Sequence, residues 1–351
     1  MPFEVIDALD PYTSMVEFKT SAVYEMVISI ASIFKPMHGQ EEWSQKANEA
    51  LSPDLLKELN YIYQEFEEGR LYFELPVDYP DHNDVPGFFE YVRNLSDLDF
   101  IFYLIGRIFP RKDLVKLMGK AGALRSAISR HDDKYDWYGR KIDGILADIP
   151  TFRNRLVDVW QNYWDSFFQN EIASLQPIWT IGLQDKTNIL SREGGRGLLE
   201  RIRGKADLPP ELPPGVPITS ITFIPVCLLP SRAFQFFGYG NVTILFDPQY
   251  TEERRIALQQ AKDEAVASLK ALDDETRLKI LHLITRHGGS LHGKSIAERL
   301  GISASAVSRH LALLKDGKLI IEEPQKNLIT YRFQKETLEN LVDKLLDYLY
   351  S

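Results

Sequence analysis

The sequence predicts a mainly α chain with small β elements, an α+β architecture in two modules. Three observations carry this. Apolar residues recur at spacings of three and four, the period of one helix face, early in the chain and again near its end. Five prolines within residues 209–217 (PPELPPGVP) interrupt that pattern, and the residues after them are rich in Ile, Val, Thr and Phe. The charge is also unevenly spread. The 351 residues carry 41 Lys+Arg against 50 Asp+Glu, a net charge of −9. Residues 265–351 hold 13 Lys+Arg and 11 Asp+Glu, leaving 28 and 39 for residues 1–264, so the balances are +2 and −11. An evenly acidic chain would repel nucleic acid, but this one divides into modules with different partners.

In the first module, Val23, Met26, Val27, Ile30, Ile33 and Phe34 mark one helix. Leu55, Leu59, Ile62, Tyr63 and Phe66 mark another, opened by Ser52 as N-cap and Pro53 at the first helical position. Residues 152–175 form a third candidate, with Leu156, Val159, Trp160, Tyr163 and Phe167 along one side, while 76–89 reads as a loop. After the prolines, residues 218–229, 233–237 and 242–246 read as a small antiparallel sheet with a turn at 238–241. Thr251 then caps an Ala-rich helix linking the modules. The domains read as 1–250, a linking helix 251–270, and 271–351. The first residues, MPFEVIDALD, show neither a basic n-region nor an apolar h-region, so a secretory signal is not expected. The apolar stretches 23–34 and 100–109, broken by Glu25 and Arg107, are too short to span a bilayer, so a cytoplasmic protein without a membrane partner is expected.

The last module carries the chemistry. A helix from Asp274 or Glu275 runs through Leu278, Ile280, Leu281 and Ile284 to the glycines 288 and 289. A short helix, 294–300, ends at Gly301; Ser303 caps a third, 304–316; and strands at 319–323 and 328–333 form a hairpin. This order is a helix-turn-helix followed by a wing. At 100° per residue, with Ser305 at 0°, Ser308 falls at about 300°, Arg309 at about 40° and Ala312 at about 340°, whereas Val307, Leu311 and Leu314 cluster at about 180–240°. One face is apolar. The other is slim, hydroxylated and armed with an Arg that can pair with guanine O6/N7. His310, at about 140°, either packs inward or reads bases. Lys315, Lys318, and on the wing Lys326 and Arg332, are placed for phosphates.

The stretches ALDDETRLKILHLI, SIAERLGISASAVSRHLALLKDGKLI and NLITYRF resemble the DNA-binding domain of ArsR-type winged-helix repressors, over about a quarter of the chain. The resemblance implies that Ser305, Ser308, Arg309 and His310 approach double-stranded DNA; Ser303, the cap of the same helix, is a further candidate contact. The resemblance also implies a homodimer on a palindromic operator. Leu338, Leu341, Val342, Leu345, Leu346 and Leu349 form an apolar stripe on a C-terminal helix 335–350 that serves either its own domain or the dimer seam. The Cys-x-Cys pattern of metal-responsive members is missing, as are histidines on the C-terminal helix, so neither a metal nor a cofactor is expected. The stretch VEFKTSAVYEMVISIASIF resembles the extra domain of larger ArsR-like regulators, whose role is unassigned.

Other candidates are weaker. Trp160, Tyr163, Trp164 and Phe167 form an aromatic cluster that is either core or the wall of an effector pocket. His131, Asp132, Asp133 and Asp136 could ligate a metal, but read as a polar loop in preference to a metal site. Gly194-Gly195-Arg196-Gly197 lacks the phosphate-loop pattern and reads as a loop or helix start. Cys227, the chain's one cysteine, reads as a buried strand thiol. A DNA-binding regulator is the leading expectation. The alternatives are a small-molecule enzyme or sensor in the first module with a regulatory winged helix, and a winged helix serving protein interaction.

Overall fold

The computed structural model describes residues 10–36, 39–64, 67–131, 136–211, 215–229, 233–289, 291–325 and 328–350. The chain splits into two compact units, Met1–Thr251 and Glu252–Ser351.

In the first unit, strand β1 (Val16–Phe18) leads into α1 (Ala22–Phe34), α2 (Glu41–Ala50), α3 (Pro53–Gln64), α4 (Val85–Asn94), α5 (Asp97–Leu104), α6 (Arg111–Met118), α7 (Ala123–His131), α8 (Asp136–Ala147), α9 (Ile149–Ser166) and α10 (Ile172–Arg203). Strands β2 (Ser220–Pro225), β3 (Ala233–Gly238) and β4 (Asn241–Phe246) follow. Helix α1 is buried from Ala22 to Ile33, as expected of a helix that is apolar nearly all round. Ser21 caps it, accepting from the Tyr24 amide at 3.0 Å. The candidate helix at 152–175 is in fact two, α9 and α10, separated by a short 3-10 turn at Phe168–Asn170.

The sheet corrects the antiparallel expectation. Its order is β1-β2-β4-β3, and β1–β2 and β2–β4 are parallel; the β3–β4 hairpin alone is antiparallel. The physical reason lies in burial. Strands β2 and β4 are buried at nearly every position, as continuous apolar runs in parallel sheets are. Helix α10 contains a restart at Gly194, whose φ of 70° and ψ of −175° are non-helical. There Asp10 accepts from the Arg196 amide and Thr13 from the Gly195 amide, so the glycine-rich segment is a helix start capped from the opposite end of the unit.

Glu25, fully buried in α1, ties three elements together. It accepts from Trp179 Nε1 at 2.8 Å, the Cys227 amide at 2.7 Å and the Leu228 amide at 3.0 Å. Burial pushes its carboxyl up to about 7, against the pull of those donors. Cys227 is buried as expected but sits in the turn after β2; burial holds its thiol well above the usual range.

In the second unit, α11 (Glu252–Leu272), α12 (Glu275–Arg286), α13 (Gly293–Leu300) and α14 (Ala304–Asp316) precede the hairpin β5 (Ile320–Gln325) and β6 (Leu328–Phe333) and the helices α15 (Lys335–Glu339) and α16 (Leu341–Tyr350). Helix α11, expected as a linker, falls within this unit and packs on α12, α14 and α16. Its approach to α14 depends on Gly317, where a Cβ would come within 2.7 Å of Ala271 Cβ, and on a 2.8 Å bond from Ser268 Oγ to Gly317 O. The C-terminal helix breaks at Asn340, dividing the apolar stripe between α15 and α16.

The Glu25 network gives a pH signature. Between about 4.5 and about 7 the folded first unit retains a proton that the unfolded chain has released. This group therefore makes the unit less stable as pH rises through that window, with no further change above it. Glu25→Gln is expected to abolish that contribution and to cost about 1–3 kcal/mol, because one amide loses its acceptor. All five tryptophans lie in this unit, so urea unfolding followed by their fluorescence at pH 5 and 7.5 checks it; an unchanged pH difference in the variant contradicts it.

Candidate nucleic-acid interface

The interface is built on the turn between α13 and α14. Gly301 ends α13 with a φ of 66°, a left-handed conformation that glycine adopts without strain. Ser303 follows as N-cap of α14, accepting from the Ala306 amide at 3.2 Å and lying 3.1 Å from Ser305 Oγ. The rotation of α14 matches the helical angles read from the sequence. Val307, Leu311 and Leu314 are buried, while Ser305, Ser308, Arg309 and Ala312 are exposed. Ser303 therefore has a structural task as well as an exposed position. Arg309 makes no ion pair or hydrogen bond among the described residues, and neither do Lys294 and Arg299 on α13, two cations that sequence reasoning passed over.

His310 lies away from the outer face. It is half-buried, its Nδ1 3.7 Å from Asp274 Oδ1, and that nitrogen has no hydrogen-bond partner among the described residues. Asp274 itself caps α12, accepting from the Arg277 amide at 2.8 Å; that bond holds its carboxyl below the usual range.

The cations expected at phosphates carry acidic partners. Lys315 Nζ is 2.5 Å from Glu322 Oε2, Arg332 Nε is 2.6 Å from Glu323 Oε1, and Lys318 pairs with Glu264. Glu264 also receives Lys344 at 2.7 Å, and the two lysines hold its carboxyl down at about 2. All of these pairs are substantially exposed, so each contributes little to stability; their effect is on the local field. Sequence reasoning missed them because the Arg332–Glu323 neighbourhood depends on the hairpin register, in which Glu323 faces Thr330 and Ile321 faces Arg332. Lys326 lies outside the described residues.

Of the apolar stripe, Leu341 is buried and Leu345 and Leu346 are half-buried against the domain, while Leu338, Val342 and Leu349 remain exposed, Leu349 at 70%. His292 caps α13, accepting from the Ser295 amide at 3.2 Å, and His287 bonds the Leu283 carbonyl through Nδ1 at 2.9 Å. Among the described residues, no group of three or more His, Cys, Asp and Glu is arranged to hold a metal ion. Asp132 and Asp133, like the side chains of His131 and Asp136, lie outside the described residues.

The aromatic cluster of the first unit is core. Trp160 and Tyr163 are completely buried, Phe167 nearly so and Trp164 partly. Their polar edges are satisfied internally, Trp160 Nε1 by Tyr63 OH at 2.9 Å and Tyr163 OH by Ser29 Oγ at 2.9 Å. Among the described residues no helix is long and apolar enough to cross a membrane.

Comparison with known proteins places the same segment in context. Residues 274–321 match the family of bacterial regulatory proteins of the arsR type. The chain is similar to the transcriptional repressor SdpR of Bacillus subtilis (strain 168), with 32% identity over 80 residues, 23% of this chain and 87% of that protein. It is also similar to the HTH-type transcriptional regulator YgaV of Escherichia coli (strain K12), with 33% identity over 88 residues, 25% of this chain and 88% of that protein. The matched family segment runs from the Asp274 cap of α12 through α14 into β5, the framework that presents Arg309; these matches leave the first unit without an assignment. By this evidence the chain belongs to the ArsR family of DNA-binding transcriptional regulators.

Proposed function

We propose that the protein is a sequence-specific, non-enzymatic repressor that binds a palindromic operator as a homodimer in the cytoplasm. Residues 304–316 enter the major groove and the wing at 319–333 follows the backbone. The observation that carries this reading is the outer face of α14, where Ser305, Ser308 and Arg309, unpaired among the described residues, stand exposed above the buried Val307, Leu311 and Leu314. A guanidinium with no acidic partner is free to make the bidentate contact to guanine that specifies sequence. The repressor role follows the named activity of SdpR. The dimer follows from the exposed Leu338, Val342 and Leu349, which a two-fold axis would cover; two such domains address half-sites about one DNA turn apart. The response is to a small molecule bound by the first unit and does not involve a metal.

Three outcomes are expected. Arg309→Ala weakens binding to the selected operator by about 1–3 kcal/mol and relaxes base choice at one position. Fluorescence anisotropy on selected and scrambled duplexes reads this, and equal, salt-independent affinities of wild type and variant on all fragments would refute the reading. Joint replacement of Glu322 and Glu323 by Gln releases Lys315 and Arg332 for phosphate. Binding to unrelated DNA should then tighten, and the slope of log affinity against log salt should steepen by up to about 2. Val342→Glu together with Leu349→Glu should yield monomers in sedimentation experiments and lower operator affinity; dimers of undiminished strength would place the seam elsewhere.

A further inference from the structure

The first unit contains a cavity of about 240 Å³ between the segment Glu67–Glu74, the end of α5, α7 and the edge strand β3. Its walls are apolar, set by Leu71, Ile105, Ile128, Phe234 and Phe236. Its polar lining residues are Glu74, Gln235, whose Oε1 accepts from Arg203, and Arg70, which stands exposed without a partner among the described residues.

Behind Glu74 lies an arrangement that packing does not require. Arg107, almost fully buried, donates Nε to Glu74 and Nη1 to the Gly238 carbonyl at 3.4 Å. Its backbone is held at a φ of 56°, in the left-handed region that non-glycine residues seldom occupy. Gly238 is needed opposite, because a Cβ there would come within 2.6 Å of the guanidinium carbon. Arg107 Nη2 has no partner among the described residues, nor does the hydroxyl of Tyr24, a fully buried phenol on which both the Glu74 and Arg107 charges act. A buried ion pair can often be replaced by apolar side chains without loss of stability, and strained backbone with unfilled hydrogen-bonding capacity concentrates at binding sites.

We propose that this cavity binds a small single-ring aromatic molecule carrying one hydroxyl, neutral or with a single negative charge: a phenol or a phenolic carboxylate. An apolar cavity of about 150 Å³ accepts benzene, and this one leaves room for substituents. Phe234 and Phe236 supply ring contacts. Glu74 engages Arg107 through Oε2, so Oε1 is available to accept from the ligand hydroxyl. The charge balance selects against cations: Arg107 already neutralises Glu74, and Arg70 at the rim adds a positive charge that suits a carboxylate.

This assigns a chemical class to the effector proposed above. It rests on that reading only for its consequence at DNA, and binding is therefore measured without DNA. The full chain is titrated calorimetrically with phenol, 4-hydroxybenzoate and benzylamine. Phenol and 4-hydroxybenzoate are expected to saturate at one per chain, with benzylamine about tenfold weaker because its ammonium would be desolvated without a counter-charge. Ile108→Trp, a half-exposed lining position, should fill the cavity and weaken phenol about tenfold while leaving the fold intact by circular dichroism. Arg70→Ala should weaken 4-hydroxybenzoate but not phenol. Absence of saturation by any of the three, benzylamine binding as tightly as phenol, or unchanged phenol affinity in Ile108→Trp would each overturn the proposal. Failure of the operator reading would leave the calorimetric result standing.

Discussion

The rotation of α14 about its own axis is the constraint on which the interface depends. Val307, Leu311 and Leu314 are buried at 1%, 4% and 0% exposure. Fully burying each such side chain is worth about 1.5–3 kcal/mol, so turning the helix by one residue, roughly 100°, would expose more than the unit could tolerate. The remaining face is therefore chosen for α14 by its core. Gly301 and Ser303 fix where the helix starts, and the contact of Gly317 with Ala271 and Ser268 fixes where it stops. Arg309 faces outward, and His310 faces Asp274, as consequences of packing on the far side of the helix.

What was legible in the sequence follows from the range of each signal. Helical periodicity is local, so the face carrying Ser305, Ser308 and Arg309 could be read from one segment. The place of α11 was not, because it contacts its unit through the small buried residues Ala265, Ser268 and Ala271, which carry almost no hydrophobic pattern. Strand direction was also hidden: β1 is three residues long and pairs with a strand some two hundred residues later. The continuous apolar runs of β2 and β4 did contain the parallel signal, which the antiparallel reading passed over. The break at Asn340 interrupts a stripe whose spacing alone looked continuous.

The charge of −9 also changes meaning with the structure in view. The second unit has a small positive balance, yet Glu264, Glu322 and Glu323 stand against Lys318, Lys315 and Arg332. Phosphate contacts position a protein on DNA and supply most sequence-independent attraction. Glutamates beside those cations reduce that component and leave Arg309 untouched. On the proposed reading the local field favours discrimination over general adhesion to DNA, which a count of lysines and arginines does not reveal.

In the first unit the same question, whether a buried polar group has a partner, separates core from site. Helix α1 carries Glu25, Ser29 and Ser32 into the interior, and each is satisfied: Ser29 by the Met26 carbonyl and Tyr163, Ser32 by the Leu228 carbonyl at 3.2 Å, Glu25 by its three donors. In the aromatic cluster Trp160 donates to Tyr63 and Tyr63 donates to the Val27 carbonyl at 2.8 Å, while Trp43, whose ring packs on Phe167, keeps an Nε1 without a partner among the described residues and is not among the residues that line the cavity. A network closed on itself specifies a unique core and has nothing left to offer a ligand. Around Arg107 the accounting stays open, with a guanidinium nitrogen and a phenol unpaired among the described residues behind the carboxylate that lines the cavity. Aromatic density drew attention to the first network; unfilled hydrogen-bonding capacity behind a cavity identifies the second, and that criterion needs distances that spacing in a sequence does not contain.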